Sequence, residues 1–528
     1  MWRLKLLKYA FVLWTILILY WLFSYQVVKR SAPKIRYISK IKVPARRGEI
    51  FDRRGHALAL NVPGLIVYQV ADSVDRPDLL EKWDIKPLDG LPEGRFAYLI
   101  AYDVPMEAYN DLKKVRGIRI DNFWSREYPY GRIMLSLIGT VNRSGMGTRG
   151  VESSLNDYLY GKPGYLYVYR TADRKLMFGA DLPQQPPQNG YNFYLTIDAD
   201  VQEFAYRELS KWVVKHGAKH GLVIVADPMT GEILAIANYP PSDFKDYAVK
   251  DPYEPGSTFK IVAYTYAYEN KLINPSDSVS TGEGYIDLQK HRIRDVHPLG
   301  TITWKDALVY SSNVATSKLS LKIGKYNLAR EALKFGFASR SGIMLPGEAF
   351  KGALNLKVST WDSVTTAGFS IGQGILVNGI QMVMAYSAIA NGGYLLMPKL
   401  IRGYEKDGEF VRTPDRIVIR KVMKRSTSEL LTSILTEVVD SGTGKLARIK
   451  GIKVAGKTGT AQKFDSRTGK YSWNRVTSSF IGFLPADSPE YIIYVVIDEP
   501  SGVGYGGYVA APLFRKIALF LLNRKTMR

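Results

Sequence analysis

The chain has 528 residues, room for more than one domain and a large core. Its 72 lysines and arginines outnumber 49 aspartates and glutamates, and the formal charge of +23 suits an anionic surface or polymer. It has no cysteine, which excludes disulfides, thiol chemistry and cysteine metal sites; no nucleic-acid-binding module is visible and none is expected as a partner.

Taken in order, the first feature is Tyr9–Val28, which carries no charged residue. At about 1.5 Å per residue it spans about 30 Å, the thickness of a bilayer core. It predicts one transmembrane helix, residues 9–28, after a short cytoplasmic tail, residues 1–8. Arg3, Lys5 and Lys8 precede the run, and Lys29, Arg30, Lys34 and Arg36 follow it, so flanking charge does not orient the helix. Residues 29 to about 42 read as an extended basic stalk. Arg46–Gly55 reads as a strand flanked by turns, and residues 62–125 as short strands and helices with no nameable chemistry. Arg126–Gly131 and Gly147–Glu152 follow, and Gly161–Gly164 opens a β-rich section. Residues 184–189, rich in proline and glutamine, mark a boundary between a module at 29–190 and a second domain at 191–528.

Beyond the boundary, Asn192–Ile197 reads as a strand and Asp198 as the cap of a helix running to about Lys215. Leu222–Ala226 and Glu232–Ala237 form a hairpin around Asp227–Gly231. His216 and His220 are four apart, a spacing used by metal sites, but Gly217 and the basic neighbours favour a helix end, and no metal is expected. His291, Asp295 and His297 read as a solvated loop or cleft rim. Helical segments dominate from Ser257 to about Gly393. Lys453–Ala461, Val476–Leu484 and Tyr491–Ile497 read as an antiparallel meander, and Ala510–Asn523 as a closing helix. Strands at both ends around a helical middle predict an α+β domain, its sheet built from the two ends and flanked by helices.

Three short motifs carry chemistry. In Tyr253–Lys260, Y-E-P-G-S-T-F-K, a proline–glycine turn leads into an apolar helix, which sets Ser257 in or near its first turn. Lys260, three residues on, shares a face with Ser257 and is expected to hold its amine over the hydroxyl. A neutral lysine can take the proton that makes serine a nucleophile, and burial or a second cation would keep it neutral. Ser311-Ser312-Asn313 gives S-x-N: Ser311 is a candidate proton relay and Asn313 a group to hold Lys260 or a substrate amide. Lys457-Thr458-Gly459-Thr460 gives K-T-G-T on a strand, with Thr458 and Thr460 on one face and Lys457 on the other. Lys457 is the candidate second cation. Gly459 leaves room for a substrate backbone, and the N–H groups of Ser257 and Thr460 form a candidate oxyanion hole.

The three motifs in this order are the signature of penicillin-recognising serine enzymes. The chain resembles the class B penicillin-binding proteins, monofunctional peptidoglycan D,D-transpeptidases, over nearly its whole length. Arg47–Gly55, Arg126–Gly131 and Gly147–Glu152 resemble their pedestal motifs, and Gly372-Gln373-Gly374 a loop near their cleft. Ser312-Asn313-Val314, Gly456–Ala461 and Tyr505–Pro512 are more similar to the septal, FtsI-type division enzyme than to the elongation enzyme.

The resemblance implies a penicillin-binding, serine β-lactamase-like transpeptidase domain with an antiparallel sheet flanked by helices, behind a membrane anchor and a dimerisation-type pedestal. It implies that Ser257 attacks the D-Ala-D-Ala end of a stem peptide and that a neighbouring stem's amine resolves the acyl-enzyme. Lys457 and the hydroxyls of Thr458 and Thr460 would bind the substrate carboxylate. β-Lactams would acylate the same serine, and no cofactor is implied. Further implied partners are the membrane, a multi-span glycan polymerase of the SEDS, FtsW-like type and other divisome proteins; the bulk of the chain would lie on the outer side of the cytoplasmic membrane. Open alternatives are an elongation-type transpeptidase, a D,D-carboxypeptidase or β-lactamase, and a penicillin-binding sensor or scaffold.

Overall fold

The computed structural model describes residues 2–24, 38–92, 95–170, 176–177, 179, 182–241, 245–349, 357–465, 470–502 and 504–526. The chain forms two compact units, one of residues 1–47 with 160–190, the other of 48–159 with 191–528.

In the first unit, Trp2–Phe23 is one continuous helix with an exposed apolar surface, and Lys5–Phe23 is long and apolar enough to cross a membrane. The rest of the expected span, residues 25–28, and most of the stalk lie outside the described residues. Ile38–Val43 pairs antiparallel with Gly164–Arg170, from Ile38 opposite Tyr169 to Val43 opposite Gly164. Lys40 Nζ lies 3.6 Å from the ring centre of Tyr165. Such a cation–π contact is worth about 0.5–1 kcal/mol at an exposed site.

The second unit holds two large sheets. The seven-stranded one runs Glu409–Arg412, Ile401–Lys406, Asn192–Leu195, Ile50–Phe51, Ala57–Gln69 and Tyr98–Pro105, with Ile118–Glu127 also on Ala57–Gln69. The three long strands between residues 57 and 127, unassigned chemically from sequence, close a small core of Leu65, Val67, Leu80, Val104 and Leu112.

The five-stranded sheet is antiparallel throughout: Ile233–Tyr239, His220–Ala226, Tyr491–Asp498, Lys470–Leu484 and Ala455–Asp465. It joins strands from both ends of the domain, as expected. Its central strand shows how sequence builds layers. Ile492, Tyr494 and Val496 pack into the core on one face, while Ile493, Val495 and Ile497 pack on the other with the helices Ala199–Lys215 and Ala511–Thr526. Both faces are covered, so the strand is apolar at successive positions rather than alternating. Asp198 caps Ala199–Lys215 by accepting from Val201 N. The buried helix Gly379–Ala390 starts with a reciprocal capping box between Asn378 and Gln381. His216 ends its helix and His220 starts a strand, so the two do not share a helix face.

Candidate active site

Gly256–Lys260 is a 3-10 turn that continues directly into the helix Ile261–Glu269. Gly256 has φ +55, and a Cβ there would lie 3.0 Å from the Thr460 carbonyl oxygen, so the turn needs glycine both for its backbone and for its closeness to the K-T-G-T strand. Gly372 and Gly374 hold the approach to this turn: Gly256 N donates to Gly372 O at 3.2 Å and Gly374 N to Glu254 Oε1 at 2.8 Å. From beneath, Tyr386 donates to Thr258 O at 2.8 Å and the Thr258 hydroxyl donates to Pro255 O at 2.8 Å. The turn that carries Ser257 is therefore fixed by its neighbours on several sides. Ser257 itself is half-buried, and its hydroxyl forms no hydrogen bond among the described residues.

Lys260 is fully buried. Its Nζ donates to Ser311 O at 2.6 Å, to Asn313 Oδ1 at 2.8 Å and to Ser311 Oγ at 3.2 Å. None of these bonds is to Ser257, which shares the 3-10 turn with Lys260. A buried amine is stable only with its hydrogen-bonding capacity met, and the S-x-N motif offers three acceptors where the serine hydroxyl offers one. Lys457 is also fully buried, and its Nζ donates to Ser311 Oγ at 2.8 Å and Thr458 O at 3.2 Å. The two lysines thus meet on one hydroxyl. Burial pushes Lys260 down to about 7, against the opposing pull of Asp295. Lys457 is driven well below the usual lysine range, first by burial and then by the charge of Lys260.

Ser311 bridges them from an unusual conformation, φ +61. A non-glycine residue held there costs on the order of 1–3 kcal/mol and needs support from its surroundings. The conformation lets carbonyl and hydroxyl both serve the same amine. The support comes partly from Asp295, which sequence reasoning assigns to a solvated rim. Its carboxylate accepts from Ser312 Oγ at 2.8 Å, from Val314 N at 3.0 Å and, through a short contact, from Asn313 N. The adjoining Arg294 carbonyl accepts from Asn313 Nδ2 at 2.8 Å. One loop therefore fixes the second and third residues of the S-x-N motif, next to Ser311, at the amino end of the helix Asn313–Ile323, where a carboxylate is electrostatically favoured. The signal in sequence would have been an acid just after a hairpin of polar residues, too weak to single out.

On the strand Ala455–Asp465, side chains alternate. Thr458 Oγ1 lies 2.8 Å from Thr443 Oγ1, and Thr460 Oγ1 accepts from Gly506 N at 3.0 Å. Both contacts face the segment around Gly506, part of the Tyr505–Pro512 motif, while Lys457 points away toward Ser311. With its oxygen already accepting from Gly506, the Thr460 hydroxyl keeps its proton to donate. The sequence reading gives Gly459 room for a substrate backbone; in the structure its Cβ position is crowded by Ser479 Oγ at 2.3 Å and by Pro255 O and Thr258 Cγ2 at 3.0 Å. Glycine is required there because the strand lies against the Ser257 turn.

The three motifs therefore form one cluster. It joins a free hydroxyl, a buried amine near neutral pKa, a second buried amine and a strand edge, which is the equipment for acyl transfer to serine. Among the described residues no group of three or more His, Asp or Glu side chains could hold a metal ion.

Residues 221–519 match the family profile of the penicillin-binding protein transpeptidase domain, and residues 42–195 that of the penicillin-binding protein dimerisation domain. The chain is 31% identical over 530 residues to the probable peptidoglycan D,D-transpeptidase PenA of Neisseria gonorrhoeae, covering 95% of this chain and 88% of that one. It is 30% identical over 525 residues to the peptidoglycan D,D-transpeptidase FtsI of Buchnera aphidicola, covering 92% and 88%. Among solved structures, penicillin-binding protein 3 of Mycobacterium tuberculosis in complex with aztreonam is similar with a TM-score of 0.73 and 28% identity, over 92% of this chain and 97% of that one. With a dimerisation-type domain ahead of a transpeptidase domain, the chain belongs to the class B penicillin-binding proteins.

Proposed function

We infer that this chain is a membrane-anchored peptidoglycan D,D-transpeptidase that crosslinks stem peptides through an acyl-enzyme on Ser257, and that it acts in septal wall synthesis during division. The observation that supports the chemistry best is the convergence of two buried amines, Lys260 and Lys457, on Ser311 Oγ beside the turn that carries Ser257.

With a pKa near neutrality, Lys260 has a sizeable neutral fraction at pH 7. Its lone pair takes the Ser257 proton as Oγ bonds to the carbonyl carbon of the penultimate D-Ala. The N–H groups of Ser257 and Thr460 hold the oxyanion, each such donor being worth about 2.7–4 kcal/mol of barrier. The intermediate collapses as the C–N bond breaks, and the departing D-Ala amine receives the proton from Lys260 by way of Ser311 Oγ. An amine of a neighbouring stem then attacks the ester, passes its proton back by the same route, and frees Ser257. Asn313 orients Lys260 and the substrate amide. Lys457, Thr458 and Thr460 receive the substrate carboxylate, with Thr460 contributing its hydroxyl proton, and Gly459 keeps their strand against the turn. A β-lactam follows the first half-reaction and stalls because its leaving amine stays tethered.

On this reading residues 1–8 are a cytoplasmic tail, 9–28 the membrane helix, 29–190 the pedestal and 191–528 the transpeptidase domain outside the cytoplasm. The first compact unit takes only the two ends of that pedestal. The helix and pedestal are docking surfaces for a multi-span glycan polymerase of the SEDS type and other divisome proteins.

The test is turnover of a thioester stem-peptide mimic in the presence of D-amino acid acceptors, alongside depletion in cells. Transfer to the amine and filamentous cells with the protein at septa are expected. Hydrolysis alone would make the chain a carboxypeptidase, absence of turnover a sensor, and rounded cells an elongation enzyme.

A further inference from the structure

A cavity of about 510 Å³ opens in the second unit and shares no lining residue with the three motifs. Four of its lining residues are arginines from widely separated parts of the sequence: Arg53 and Arg54 in the turn after Ile50–Phe51, Arg402 on the strand Ile401–Lys406, and Arg524 near the end of the helix Ala511–Thr526. Asp198 and Tyr491 complete its polar edge.

The charges do not cancel. Arg54 and Arg524 both pair with Asp198, at 3.2 and 2.8 Å, and both reach Asp200. Arg53 pairs with Glu232 at 3.3 Å, and Lys399 shares that carboxylate at 3.1 Å. Arg402 donates to the Arg53 carbonyl at 2.6 Å and meets no carboxylate among the described residues. Asp52, behind the turn, is occupied by the N–H groups of Arg54, His56 and Ala199 and by the His56 ring. In this network four guanidiniums and Lys399 thus meet Asp198, Asp200, Glu232 and, behind the turn, Asp52, a surplus of one positive charge, and of the carboxylates only Asp198 lines the open space beside the four arginines. A network built only to hold elements together would close on itself. This one surrounds a volume within the usual range for small-ligand sites, about 300–1,000 Å³. Guanidinium forks match the oxygens of phosphate in pairs, and lysine, the less directional cation, does not line the cavity.

We propose that this arginine-lined cavity is a binding site for a dianionic phosphate, either a free phosphate compound or the phosphomonoester headgroup of a lipid. The guanidiniums of Arg402 and Arg53 receive the phosphate oxygens, and Asp198 and Asp200 hold Arg54 and Arg524 in place beside them.

The test is isothermal titration of the full chain in detergent micelles at fixed ionic strength. Inorganic pyrophosphate, soluble dihexanoyl phosphatidic acid and malonate are the three probes. Saturable one-to-one binding of pyrophosphate, phosphatidic acid or both is expected, at least about tenfold tighter than malonate, as paired charge-assisted hydrogen bonds favour phosphate. Pyrophosphate alone identifies a free phosphate, and phosphatidic acid alone a headgroup. Arg402→Gln should weaken binding about tenfold or more, and Arg402→Lys, which keeps the charge but not the fork, should weaken it several-fold with an unchanged circular dichroism spectrum. If Arg402→Gln loses its fold, Arg402→Lys carries the comparison. No saturable binding of either phosphate, malonate binding as tightly, or an undiminished affinity in the folded variant would overturn the proposal.

Discussion

Replacing Gly459 by alanine tests the contact between the K-T-G-T strand and the Ser257 turn. The added Cβ would lie 2.3 Å from Ser479 Oγ and 3.0 Å from both Pro255 O and Thr258 Cγ2. Favourable carbon contacts begin at about 3.5 Å, so something must move by several tenths of an ångström to about 1 Å. Ser479 can turn its hydroxyl away. Pro255 and Thr258 cannot yield as easily, because Thr258 is tied through both its hydroxyl and its carbonyl. The strand must retreat, and Thr460 retreats with it. Overpacking of this kind costs about 1–3 kcal/mol. A displacement near 1 Å between reacting groups costs on the order of 100-fold in rate. The assay is the second-order rate of labelling by a fluorescent penicillin, with thermal melting by circular dichroism. Gly459→Ala should melt lower by several degrees and label about 100-fold more slowly. Gly90→Ala, where nothing lies within 4 Å of the new Cβ, should match the parent in both. Labelling of Gly459→Ala at the parental rate would refute the argument that this glycine keeps the oxyanion donors together.

The Asp295→Asn variant removes a charge that favours the protonated form of Lys260, so the midpoint of the acylation–pH profile should move to lower pH while the plateau falls about tenfold with the loosened S-x-N motif; an unchanged midpoint would show that Asp295 does not act on Lys260. For the parent, labelling should rise with pH through about 7 as Lys260 loses its proton. The same shift has a stability sign: between about pH 7 and the ordinary lysine value the unfolded chain binds a proton that the folded chain does not, so the Lys260 contribution should favour folding increasingly as pH rises across that window, as denaturant titrations at several pH values would read. Ser311→Gly relieves the positive-φ backbone but removes the hydroxyl shared by the two lysines, so stability should change by less than about 1 kcal/mol while labelling falls by orders of magnitude.

Much of the catalytic domain is legible because single residues announce their role locally. Asp198 reads as a helix cap, and the apolar run Tyr491–Ile497 as a strand covered on both faces. The three motifs are legible as chemistry because each is compact in sequence. What escapes is what depends on distant segments meeting. Asp295 acts on residues 17 to 19 positions ahead, beyond an intervening strand and helix. Ser311 gives no sign of its left-handed backbone, since serine rarely adopts it. The hydrogen bonds of Lys260 go to Ser311 and Asn313, acceptors some fifty residues away that its own motif does not announce. The cavity arginines span positions 53 to 524, and no local pattern brings them together.

The central claim is that Ser257 is the nucleophile. Its most direct measurement is the intact mass of parent and Ser257→Ala protein after penicillin treatment, with circular dichroism as the folding control. A half-buried serine hydroxyl with no hydrogen-bond partner among the described residues can be removed at little cost in stability, so the variant should fold. Loss of a nucleophile that works as part of a unit costs on the order of 10⁶ in rate, so the parent should gain one penicilloyl group and the variant none. A one-to-one penicilloyl adduct on folded Ser257→Ala would contradict the account.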